Sequence, residues 1–158
     1  MDEHGKDKMA VYEINQLEKL WKQTQVEDLI TPEKMADLRF LEQGRLRLKQ
    51  AVVGIRESEK RVRGVKGEKQ AFFEKAHGYY HHSATSLLAI IDFLILKKGT
   101  YFVQRNEINF ENEGDAEQFR ELISQLALLH KEKQELDAFI SQHNREVEKK
   151  LALDHRNL

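Results

Sequence analysis

From Phe119 to Val147 an apolar residue returns at nearly every third or fourth position, and no proline interrupts the run. The frame reads Phe119, Leu122, Leu126, Leu129, Lys133, Leu136, Ile140, His143, Val147, apolar at seven of nine places. Steps of three and four bring a residue back to the same side of an α-helix, so this pattern demands one long helix with a single buried stripe. The only proline in the 158 residues is Pro32. Since proline breaks helix interiors, little elsewhere stops helices from running on. Charged residues make up 34% and apolar residues 40%, which suits slender helices that expose most of their surface.

Three more helices are expected upstream. Residues 1–7 read as a disordered lead-in, and a first helix over about 8–30 has Ile14, Leu17 and Trp21 as its stripe, with Leu20 beside it. Thr31-Pro32-Glu33 is a helix start: threonine can cap, proline suits the first position, and glutamate complements the positive end of the dipole. The second helix, about 32–63, reads Leu38, Leu41, Arg45, Leu48, Val52, Ile55, Glu59, Val62. Gly44 and Gly54 inside it each cost about 1 kcal/mol relative to alanine, and close approach of another helix is the ordinary reason to keep them. Gly64 and Gly67 bracket a break. The third helix, about 68–98, lines up Phe73, Ala76, Tyr80, Leu87, Ile91 and Leu94, and Gly99 ends it. The last spans about 115–151, with Asp115 as its cap and 152–158 as a frayed tail. At 1.5 Å per residue the last three would each be roughly 45–55 Å long.

Between the third and fourth helices the period changes to two. In residues 100–112, Tyr101, Val103, Ile108 and Phe110 alternate with polar or outward residues around Arg105-Asn106-Glu107. This predicts a short β-hairpin with those four side chains on one face. A lone hairpin is marginal in water, so that face must lie on the helices. The expected fold is mainly α: one domain over 8–151, an antiparallel bundle of about four long helices with a β-hairpin between the last two.

Several functions are disfavoured. A net charge of −1 argues against a nucleic-acid binder. Zero cysteines exclude disulfides, thiolate metal sites and a cysteine nucleophile. No run reaches the roughly 20 apolar residues of a membrane span, and Met1 to Lys8 lacks the hydrophobic centre of a signal peptide. There is no Gly-x-Ser-x-Gly elbow, phosphate-cradling loop or His-Glu-x-x-His, so neither enzymatic activity nor a cofactor is expected.

Three features are candidates for chemistry. Glu74, His77 and His81 fall on one helix face at spacings that can hold a metal, and Glu74-x-x-His77 has the form of a di-iron half-motif. Such centres need a second copy, and the sequence has none, so polar surface histidines are the ordinary alternative. Asp92, inside the apolar run Leu87–Leu96, would need donors if buried; a structural acceptor for the N–H groups of the hairpin fits better than a catalytic acid. Between Arg45 and Lys69 nine basic residues face three glutamates. That excess could meet phosphates or an anionic membrane, but without aromatics and spread round the helix it reads as a solvated face.

The stretch Asp92-Phe93-Leu94, Gly99-Thr100, Ile108-Asn109-Phe110, Ala116-Glu117-Gln118-Phe119, Leu122-Ile123, Leu126 and His130 resembles the C-terminal part of the YiaF-type family of bacterial envelope lipoproteins. It covers about a quarter of the chain and includes no catalytic motif. The resemblance implies an envelope or periplasmic domain, attached to the membrane only through a lipid anchor absent from this chain. It brings no activity and no functional residue with it. Two readings stand beside an envelope protein working by protein–protein contact: a cytoplasmic coiled-coil adaptor, and a metal-binding bundle using Glu74, His77 and His81. A homodimer sharing the last helix's stripe is compatible with either of the first two.

Overall fold

A computed structural model describes residues 3–25, 31–64 and 67–156. These form α1 (Glu3–Gln23), the single turn α2 (Pro32–Met35), α3 (Leu38–Arg61), α4 (Glu68–Leu96), strands β1 (Tyr101–Gln104) and β2 (Glu107–Phe110), and α5 (Glu113–Arg156). The mainly helical fold with one hairpin before the last helix is as expected from the sequence. Among the described residues no helix is long and apolar enough to cross a membrane.

Several boundaries differ. Residues 3–7 belong to α1 rather than to a disordered lead-in, and α1 closes at Gln23; residues 26–30 lie outside the described part. The expected second helix is divided. Pro32 opens α2 as anticipated, but Asp37 leaves the helical region and its side chain accepts from the Arg39 N–H at 3.0 Å, capping a fresh helix. The division is held from the connection between α4 and β1: the Tyr101 hydroxyl donates to the Met35 carbonyl at 2.8 Å, and Lys98 donates to the Ala36 carbonyl. At the last helix, Asn112 rather than Asp115 supplies the cap, its Oδ1 accepting from Gly114 N–H at 2.7 Å. Asp115 instead meets Lys97 at 3.0 Å. That helix continues through Arg156, over the stretch expected to fray.

The buried face of α3 is also displaced from the expected frame. Leu41, Gly44, Leu48, Ala51, Ile55 and Ser58 are buried, followed by Val62, while Arg45 and Glu59 are exposed. The small residues Gly44, Ala51 and Ser58 fall seven apart, one position of a heptad. Near this line α1 comes close: a Cβ on Gly54 would stand 2.6 Å from Leu20 Cδ2. The close approach inferred from the glycines is therefore present at Gly54.

Helices α4 and α5 run antiparallel in even register. Phe93 meets Phe119, Lys133 covers Tyr79, and Phe72 stacks on Phe139 at 5.5 Å. The main core lies between α3 and α4, with Leu41, Leu48 and Leu94 fully buried and Leu17 of α1 added to it.

The hairpin pairs Tyr101 with Phe110 and Val103 with Ile108. Tyr101 is buried, Val103, Ile108 and Phe110 are half-buried, and Phe102 faces out. Its turn is two residues long, with φ of 54° at Arg105 and 62° at Asn106, a combination that favours Asn-Gly. Replacing Arg105-Asn106 by Asn-Gly should therefore raise stability by about 1 kcal/mol. Thermal melts would show a gain of several degrees; an unchanged or lower midpoint would contradict the assigned turn.

Candidate functional site

Among the described residues, polar side chains are buried together at one place, where α1, α3 and α4 meet. Glu13, Ser58 and His77 are each no more than 5% exposed. Each stands where the helix pattern calls for an apolar residue: Glu13 one turn before Leu17, Ser58 between Ile55 and Val62, and His77 between Phe73 and Tyr80. The Ser58 hydroxyl lies 3.0 Å from Glu13 Oε2 and 3.0 Å from His77 Nε2. His77 Nδ1 is 2.7 Å from the Phe73 carbonyl, one turn back along α4. Arg61 closes the outer side, donating through Nε to Glu13 Oε1 at 2.7 Å and through an Nη2 hydrogen to Oε2 at 3.2 Å.

Burial would push the Glu13 carboxyl up. Hydrogen bonds from Arg61 and Ser58 and the charge of Arg61 outweigh it and hold the group below its ordinary value of 4.5. Burial is the main influence on His77 as well and lowers it from 6.5, against the opposing pull of the Phe73 carbonyl, Glu59 and Glu13. The sign for stability follows. Between the depressed folded value and 6.5 the unfolded chain holds a proton on this ring that the folded chain does not. The His77 contribution is therefore full above 6.5, declines as pH falls through that window, and is flat below the folded value. Urea melts across the window should show the decline in the native chain and its absence in His77→Gln.

The expected metal set does not assemble. Both ring nitrogens of His77 face buried polar atoms of the protein, Glu74 is exposed and accepts from Gln70 at 3.0 Å, and His81 lines with them a cleft of about 500 Å³. No group of three or more metal-ligating side chains occurs among the described residues. His82 points elsewhere, to Glu132 on α5 at 3.3 Å.

Asp92 is a correction. It is half exposed and receives Arg45 Nε at 2.8 Å, rather than being buried against hairpin N–H groups. The apolar run Leu87–Leu96 still turns through 100° per residue, and Asp92 lies on its outer side together with Leu96, which is 78% exposed. The basic stretch is partly consumed within the chain, since Arg45 goes to Asp92, Arg47 to Gln25, and Arg61 to Glu13.

Sequence reasoning picked out His77 but missed Glu13, Ser58 and Arg61. A signal existed: once the α3 frame is read as Leu41, Leu48, Ile55, Val62 with small residues between, Ser58 is a hydroxyl at a core position. Set against known proteins, the chain matches no family model, no curated protein and no solved structure.

Proposed function

We propose that this is a non-enzymatic helical protein of the bacterial cell envelope that acts by protein–protein contact, with the far end of α5 as the contacting element. The observation behind the contact role is the mismatch between paired helices: α5 has 44 residues and α4 has 29. In the register set by Phe72 and Phe139, α4 has one further turn to give. Residues 141–156 therefore run on for about 24 Å, most of it past the start of α4. Every side chain described in that stretch is exposed, including Leu151 at 56% and Leu153 at 57%. A helix whose described side chains all stay exposed is there for another reason, and recognition by a partner is the usual one. The envelope location rests on the resemblance of the hairpin region to envelope lipoproteins.

Ending the chain at Ile140 should leave stability within about 1 kcal/mol, because exposed residues contribute little, and should abolish partner capture. A photo-crosslinker at Leu151, introduced into the native gene product in cells, is expected to trap one discrete protein in the membrane fraction. Cross-links confined to cytosolic proteins would favour the adaptor reading. A truncated chain that captures the same partner would overturn the role of α5.

A further inference from the structure

The buried cluster is short of one hydrogen. Its three contacts are His77 Nδ1 to the Phe73 carbonyl, His77 Nε2 to Ser58 Oγ, and Ser58 Oγ to Glu13 Oε2. A carbonyl can only accept, so Nδ1 must carry a hydrogen. Glu13, clamped by Arg61, is a carboxylate and brings none. Ser58 has a single hydrogen to share between two neighbours. With neutral His77, one of the 3.0 Å contacts therefore sets lone pair against lone pair. The charged carboxylate is the stronger acceptor, so the contact left unfilled is that between Ser58 and His77. A proton on Nε2 completes the line: Nδ1–H to carbonyl, Nε2–H to hydroxyl, hydroxyl to carboxylate.

We propose that Glu13, Ser58 and His77 form a one-proton latch on α1: uptake of a proton completes the hydrogen-bonded line and tightens α1 onto the α3–α4 pair, and release loosens it. The coupling runs through α1 because Glu13 is what α1 brings to the ring. Phe73 and its carbonyl belong to α4, and Val62 and Ser58 to α3, so these stay when α1 lifts, while Ile14 of α1, which packs on Val62 and Phe73, leaves with Glu13. The carboxylate that favours the protonated ring leaves with α1. A proton on His77 is thus better held with α1 docked than without it, and by reciprocity it strengthens docking. The other charges around the ring sit on α3 and α4. Arg61 and Glu59 act from α3 in opposite senses. Arg56 and Arg63 lie across the cleft, with Glu74 and His81 on the ring's own helix. Because Glu13 is held below its ordinary value, it stays ionised while the ring titrates.

Hydrogen exchange of the amides of residues 12–23, each divided by its intrinsic rate at that pH and taken relative to the α3–α4 core amides so that the change in global stability cancels, reads the docking of α1. From about pH 7.5 down to about pH 5, a range carried below the ordinary imidazole value because burial lowers that of His77, protection in α1 should rise about fivefold, the lower end of usual coupling between two sites. Imidazole nitrogen shifts of His77 should move to the doubly protonated form over the same range. The rise should vanish in His77→Gln and persist in His82→Gln, which alters an exposed ring paired with α5. Should His77→Gln fail to fold, Ser58→Ala cuts the line while leaving the titratable ring, and the rise should again vanish. Protection that is flat or falls with acid, or a rise that survives in either cluster variant, overturns the latch.

Discussion

Phe110→Ala is expected to lower the unfolding free energy by about 3 kcal/mol, the low end for a large aromatic because the ring is half-buried. The ring stands among Phe93 of α4 at 5.8 Å, Phe119 of α5 at 5.2 Å and Tyr101 of β1 at 5.5 Å. The ring joins the hairpin to both α4 and α5. A two-stranded sheet has little stability of its own, so losing this ring removes both packing area and the anchor of β2. Tyr101 would still hold β1 through the Met35 carbonyl. Urea unfolding followed by circular dichroism gives the number. Phe102→Ala, at a residue 51% exposed on the opposite face, should change stability by no more than about 0.5 kcal/mol. Equal losses in the two variants would mean that the hairpin is not seated on its Phe110 face.

Arg61→Met is the second large effect, about 2–3 kcal/mol near neutral pH. Removing one partner of a buried pair strands the other charge, and the figure is set below the full buried-pair range because the Arg61 side chain is 52% exposed while that of Glu13 is 4% exposed. The pH dependence should invert. In the native chain the depressed Glu13 carboxyl contributes stability above its unfolded value of 4.5, and that contribution is lost as pH falls through the folded value. Without Arg61, burial raises the carboxyl instead, and acid relieves the strain by neutralising it. The deficit of the variant should therefore shrink toward pH 4.5. Adding Glu13→Leu to Arg61→Met should recover most of the loss, since Ser58 is then free to donate to His77 and two hydrogens satisfy the two remaining contacts. A double variant as unstable as Arg61→Met alone would show that the arginine acts through its packing rather than through Glu13.

These two sites divide according to how visible they are in the sequence. The hairpin is local. Strict alternation from Tyr101 to Phe110, bounded by Gly99 and Asn112, specifies both strands and the face they bury, because neighbouring residues in a strand point to opposite sides whatever lies around them. The helices are equally local in kind, since spacing and the position of a single proline decide them. Where each helix turns its stripe is not local. On α3 two frames share Leu41-Leu48-Ile55-Val62 and differ in the line beside it: Arg45-Val52-Glu59, continuing from Leu38, in one and, one residue earlier, Gly44-Ala51-Ser58 in the other. Which of them is buried depends on how near α1 and α4 can come. The smallness of Gly44, Ala51 and Ser58 gives the second frame its advantage, because close backbone approach adds dispersion contacts along the whole helix.

Asp92 and Glu13 show the same division from opposite sides. Asp92 sits in the most apolar run of the chain and is exposed, because a helix with one outward side has room there for an aspartate facing Arg45. Glu13 sits in an unremarked stretch of α1 and is buried, because its partners are 45 and 48 positions away along the chain. The sequence by itself determined the kind and order of the elements: long helices in succession, with a hairpin placed before the last. The tertiary structure alone decided which faces met, that α5 outran its partner, and that a carboxylate, a hydroxyl and an imidazole shared one buried contact. The physical reason is range. Backbone periodicity is settled over a few residues, whereas burial and hydrogen bonding between distant side chains exist only once the helices are side by side.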